Sequence, residues 1–75
     1  MADYKIRMNK SLDKVTMEQF TKICTLLGGS FAGSEDSVFT LKDAEDQPQR
    51  KDVNNAFAKQ GLSHACINVE EVKDV

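Results

Sequence analysis

The segment 15–29, VTMEQFTKICTLLGG, signals an amphipathic helix at both of its ends. Thr16 is a good N-cap, and Gln19 three positions on completes a capping box that answers two of the first turn's orphan amides. Val15 before the cap and Phe20 beyond it have the spacing of a hydrophobic staple. Phe20, Ile23, Cys24 and Leu27 recur at i, i+3, i+4 and i+7, one apolar stripe that Met17 extends toward the N-terminus. Glu18, Gln19, Lys22 and Thr25 take the wet side. Gly28-Gly29 ends the helix over 17–27, because a helix stop needs a left-handed residue and glycine adopts one without a Cβ clash. So apolar a stripe needs a surface to cover.

The flanking segments supply that surface. Residues 3–10 alternate, with Tyr4, Ile6 and Met8 facing one way and Lys5, Arg7 and Asn9 the other, as in a strand buried on one face. The connection 11–14 is polar apart from Leu12. Phe31 is the one large apolar residue of 30–33, Ser34-Glu35-Asp36-Ser37 has turn chemistry, and alternation resumes over 38–42. There Phe39 and Leu41 oppose Val38, Thr40 and Lys42, so residues 30–42 are expected to form a β-hairpin. An acidic loop, 43–47, leads to Pro48, which suits the first turn of a second helix over 48–60. Val53, Ala56 and Phe57 give that helix a narrow apolar face, and Gly61 ends it with Leu62 as the apolar contact beyond. Asn54 and Asn55 are poor helix formers within it. Residues 64–70 alternate once more: Ala65, Ile67 and Val69 inward, His64, Cys66, Asn68 and Glu70 outward. The tail 71–75 is expected to fray.

The order is β-α-β-β-α-β in one domain over residues 1–75, the ferredoxin-like split βαβ of the α+β class. Right-handed crossovers would place both helices on one face of a small antiparallel sheet. Tyr4, Ile6, Met8, Phe31, Phe39, Leu41, Ala65, Ile67 and Val69 then form the inward sheet set. The other face would stay open.

Seventy-five residues with 40% apolar and 29% charged content describe a small globule rather than a disordered chain. No apolar run approaches the roughly 20 residues of a membrane span, and no signal-peptide pattern opens the chain, so a cytoplasmic location and no membrane partner are expected. Cys24 on the helix stripe and Cys66 on the opposite sheet face could not meet, which leaves two free thiols. Net charge is −2, divided unevenly. Residues 1–29 hold five basic and three acidic side chains, residues 30–75 five and nine.

Chemistry finds little footing. There is one histidine, no nucleophile elbow and no phosphate-binding glycine loop, so no catalytic residue and no cofactor is assigned. The loop after the first strand lacks the paired thiols of a heavy-metal carrier and the glycine of an amino-acid-binding regulatory domain. His64 and Cys66, roughly 7 Å apart on one strand face, are too few for a metal site, and none is assigned. Lys5, Arg7 and Lys42 share the open face and are the candidate nucleic-acid contacts, yet no aromatic residue stands beside them to stack a base.

Acid collects more pointedly. Asp43, Glu45 and Asp46 fall at the same sheet end as Asp3 and as Glu70, Glu71 and Asp74. This pole is the candidate surface for a protein partner, one with a basic or nucleic-acid-binding surface, although charged loops also serve solubility alone. The expected function is that of a non-enzymatic module that docks on a larger protein and modulates or inhibits it. Small proteins of this character are frequent among phage and mobile-element products. The alternative is nucleic-acid binding by the open sheet face, and a homodimer stays open.

Overall fold

The computed structural model describes residues 1–73. Its elements are β1 (Ala2–Met8), α1 (Met17–Leu26), β2 (Ser30–Glu35), β3 (Val38–Ala44), α2 (Arg50–Lys59) and β4 (Cys66–Val72). The four strands form one antiparallel sheet in the order β2-β3-β1-β4. The class is thus α+β, with two helices and a four-stranded antiparallel sheet. β4 continues through Glu71 and Val72, where fraying was expected, while Asp74 and Val75 lie outside the described residues.

Both helices cover one sheet face, because Phe39 of β3 touches each of them. Its ring centroid lies 5.7 Å from that of Phe20 in α1 and 5.8 Å from that of Phe57 in α2. Phe31 of β2 stacks on the other side of Phe20 at 4.3 Å. Around this aromatic line close Tyr4, Ile6, Met8, Ile23, Cys24, Leu41 and Val53, all buried.

α1 is built as its sequence prescribes. The Thr16 hydroxyl accepts from the Gln19 amide at 3.1 Å, and the Gln19 carboxamide oxygen accepts from the Thr16 amide at 2.9 Å. At the other end the Gly29 amide donates to Cys24 and the Gly28 amide to Thr25, a Schellman stop with Gly28 at φ +83°. α2 ends the same way, with Gly61 and Leu62 donating to Ala58 and Phe57. Met17 departs from its expected place: it is 67% exposed, because the stripe begins at Phe20 and leaves the first turn outside the core. Pro48 departs as well. It is buried just before the Gln49 N-cap, so α2 starts two residues later than proline placement suggests.

Three of the four strands carry a bulge, and each shifts the inward set by one residue. In β2, Ala32 and Gly33 together face Thr40, with Gly33 at φ +103°. In β3, Lys42 and Asp43 face Asp3, so the buried positions run Phe39, Leu41, Ala44. In β4, Ile67 is the extra residue between Asn68, opposite Arg7, and Cys66, opposite Met8. Cys66 therefore turns inward at 8% exposure and Ile67 outward at 51%, the reverse of strict alternation. β1 has no extra residue and keeps Tyr4, Ile6 and Met8 inward.

The bulge in β4 is supported from α2. The Asn54 side-chain oxygen accepts the Cys66 amide at 2.6 Å, an amide that faces away from β1. The poor helix former thus joins helix to strand. Asn54→Ala should leave that amide without a partner and lower stability by about 1–3 kcal/mol, read from urea unfolding. An exposed asparagine such as Asn55 should cost far less when changed, and equal losses at the two positions would refute the role.

Candidate functional site

The acidic end of the sheet is assembled by register. Asp3 lies opposite the Lys42–Asp43 bulge on one side and Val72 on the other. Its carboxylate accepts the Asp43 amide at 3.0 Å, and Asp43 takes a left-handed backbone at φ +58°. Aspartate tolerates that region better than most residues, and the bond to Asp3 holds it there. One row along, Glu71 stands opposite Tyr4, and in the next Glu70 stands opposite Lys5. Asp43, Glu70 and Glu71 are thus gathered by three strands, with Glu45 following the buried Ala44 out of β3.

Asp46 goes elsewhere. It lines a groove of about 330 Å³ between the end of α1 and α2, with Leu26, Leu27, Pro48, Asp52 and Lys59. The pole is also less purely acidic than its sequence implies, since Lys42 sits at this end beside Asp3 and Lys5 faces Glu70. Among the described residues the one ion pair is Glu18–Lys22 on α1, at 3.2 Å. The carboxylates at the sheet end are therefore solvated charges with no ion-pair partner among the described residues.

Lys5 and Arg7 line a separate open groove of about 590 Å³ on the uncovered sheet face, with Gly33, Val38 and Thr40 as its floor. Glu35 and Asp36 close one end of it. Lys42 does not line this groove, so the basic trio is divided into a pair and a lone lysine.

His64 and Cys66 do not share an exposed strand face. His64 precedes β4, with Nε2 donating to the Ser11 carbonyl at 2.8 Å and its ring centroid 5.4 Å from that of Phe57. Its Nδ1 is buried without a hydrogen-bond partner among the described residues. The Lys10 ammonium donates to the Ser63 hydroxyl, and Asn9 exchanges hydrogen bonds with Ala65, so His64 belongs to a clasp between two loops. Both cysteines are free and buried. Burial pushes the Cys24 thiol up to about 12. Burial also raises Cys66, against smaller opposing effects of its contact with the Asn68 carbonyl and the charge of Arg50. Neither is an activated nucleophile. No group of three His, Cys, Asp or Glu among the described residues could hold a metal ion.

The edge of β4 is a feature the sequence did not disclose. The Gln47 side-chain amide donates to the Val69 carbonyl at 3.4 Å from outside the sheet. Beside it runs a groove of about 550 Å³ lined by Pro48, Gln49, Arg50, Ile67, Asn68 and Val69. No local pattern marks Gln47, and Ile67 reads as core until the bulge is known. No helix of the described residues is long and apolar enough to cross a membrane. Comparison with known proteins adds no family: no family model, no curated protein and no solved structure matches the chain.

Proposed function

We propose that this protein is a non-enzymatic binding module of the cytoplasm that docks on a larger protein and modulates or inhibits it, in the manner of small phage or mobile-element products. The observation that carries the reading is the gathering of Asp3, Asp43, Glu70 and Glu71 from three strands, without an ion-pair partner among the described residues. Fixed, solvated charge of one sign steers a partner of opposite sign and sets its orientation. The partner is accordingly a protein with a basic surface. For the scaffold we infer a ferredoxin-like topology, supported by the β-α-β-β-α-β order and by antiparallel pairing between all sheet neighbours.

The reading is tested by capture from extract of the source cell with nuclease present, and by reversing Glu45 and Glu71, both at the acidic end, to lysine. One protein retained in stoichiometric amount is expected. The double variant should slow association with it by roughly tenfold at low salt and leave dissociation nearly unchanged. Unchanged association would remove the acidic end from the interface, and loss of all capture on nuclease treatment would overturn the protein-binding reading. That second result would favour the groove of Lys5 and Arg7 as a nucleic-acid contact, whose affinity would fall steeply with salt.

A further inference from the structure

We propose that the free edge of β4 receives an extended basic segment of the protein partner as an added antiparallel strand, an inference that rests on the protein-binding reading above. Among the described residues no strand lies beyond β2 or β4, and the two edges differ. β2 breaks its ladder at the Ala32-Gly33 bulge and exposes no large apolar side chain, which is how edges are blunted against pairing. β4 runs regularly from Asn68 to Val72, about 17 Å of strand at 3.4 Å per residue.

The backbone of that run is available in a defined pattern. The Val69 carbonyl accepts from Gln47 and so points away from β1. In an antiparallel strand the amide and carbonyl of one residue point the same way and alternate along the chain. Val69 and Glu71 therefore present their main-chain groups outward, while Asn68 and Glu70 spend theirs on Arg7 and Lys5. At the start of β4 the outward Cys66 amide is already taken by Asn54, and beyond it the one hydrogen-bonded cover among the described residues is a long bond from an exposed glutamine. Next to the edge lies the open groove of about 550 Å³ walled by Pro48 and Arg50.

The side chains state what the segment must carry. Ile67 and Val72, at 51% and 37% exposure, are two of the five exposed large apolar residues among the described residues and stand at either end of the run. Glu70 and Glu71 lie between them on opposite faces. A second copy pairing antiparallel would bring four carboxylates together, so self-addition is opposed. A segment with apolar ends and two central lysines or arginines satisfies both features. Near Arg50 its residue should be neutral and polar.

The test uses the full chain and the hexapeptide Val-Lys-Lys-Val-Thr-Val, blocked at both ends, followed by amide spectra and hydrogen exchange. At saturating peptide the Val69 and Glu71 amides should exchange roughly tenfold more slowly, while those of Asn68 and Glu70 change little. Methylating the peptide backbone nitrogens should abolish the effect, and E70K with E71K should weaken binding roughly tenfold. No binding, or equal binding of the Val-Glu-Glu-Val-Thr-Val counterpart, overturns the proposal. Shifts confined to residues 43–46 overturn strand addition and leave acidic docking standing. Protection of Val69 and Glu71 that depends on protein concentration without peptide assigns the edge to a second copy and also overturns it.

Discussion

Phe39→Ala is expected to abolish cooperative folding or to leave it barely measurable in urea. Phe39 is fully buried on the strand between β1 and β2 and is the one side chain whose ring meets an aromatic ring from each helix. Truncating a buried phenylalanine removes its transfer free energy and leaves a cavity, together about 3–5 kcal/mol. A chain of 75 residues has a total stability of about 4–11 kcal/mol by the usual range per residue. The loss is therefore comparable with the whole. Relaxation offers little relief, since Phe20 and Phe57 are themselves buried against neighbours and cannot both move into the gap. Phe31→Ala is the comparison. Its ring stacks on Phe20 but is half-buried on the edge strand, where neighbouring side chains and water can fill the space. It should keep a cooperative transition at a lower midpoint. If Phe39→Ala unfolded at the same urea concentration as Phe31→Ala, the central place of Phe39 in this core would be wrong.

The reason this residue could be named from sequence is that its neighbours obey local rules. The capping box at Thr16, the stripe from Phe20 to Cys24 and the alternation of Tyr4, Ile6 and Met8 are set by residues within a few positions of one another. Helix period and strand period are written in such windows. The bulges are not. Ile67 is put outside and Cys66 inside by an extra residue opposite β1, held by Asn54 of α2 twelve positions away. Asp43 adopts its left-handed backbone beside the carboxylate of Asp3, forty positions away. A window over 64–70 contains nothing that reports either contact, and strict alternation is then the best available reading. The acidic end suffered from the same limit in a milder form. The gathering of Asp43, Glu70 and Glu71 follows from segment order alone, but Asp46 leaves for the helix side and Lys42 enters beside Asp3 only once the bulge is in place.

Gly28 and Gly29 separate the two kinds of information, and alanine at each should tell them apart. Both read as a helix stop. Gly28 sits at φ +83° with open space where a Cβ would go, so Gly28→Ala carries only the left-handed backbone cost of roughly 1–2 kcal/mol. Gly29 has no such backbone. A Cβ there would lie 2.6 Å from the Lys42 carbonyl oxygen and 2.9 Å from Leu41 Cδ1, against the neighbouring strand β3. That strand is paired with β1 on one side and β2 on the other, so the carbonyl has little freedom to retreat. Overpacking of this kind costs about 1–3 kcal/mol, and a rigid backbone neighbour places Gly29→Ala at the upper end. At about 4–8 °C per kcal/mol for a chain of this size, Gly29→Ala should lower Tm by roughly 12–24 °C. The two variants should also differ in where they loosen the protein. Ser30 pairs with Lys42 immediately after Gly29, so displacement of Gly29 opens the β2–β3 ladder at its first rung. Hydrogen exchange should accelerate in β2 and at the start of the hairpin for Gly29→Ala, while Gly28→Ala should affect the last turn of α1 alone. Equal Tm values with equal exchange patterns would mean that the close approach of Gly29 to β3 carries no energy, and that the pair is a helix stop and nothing more.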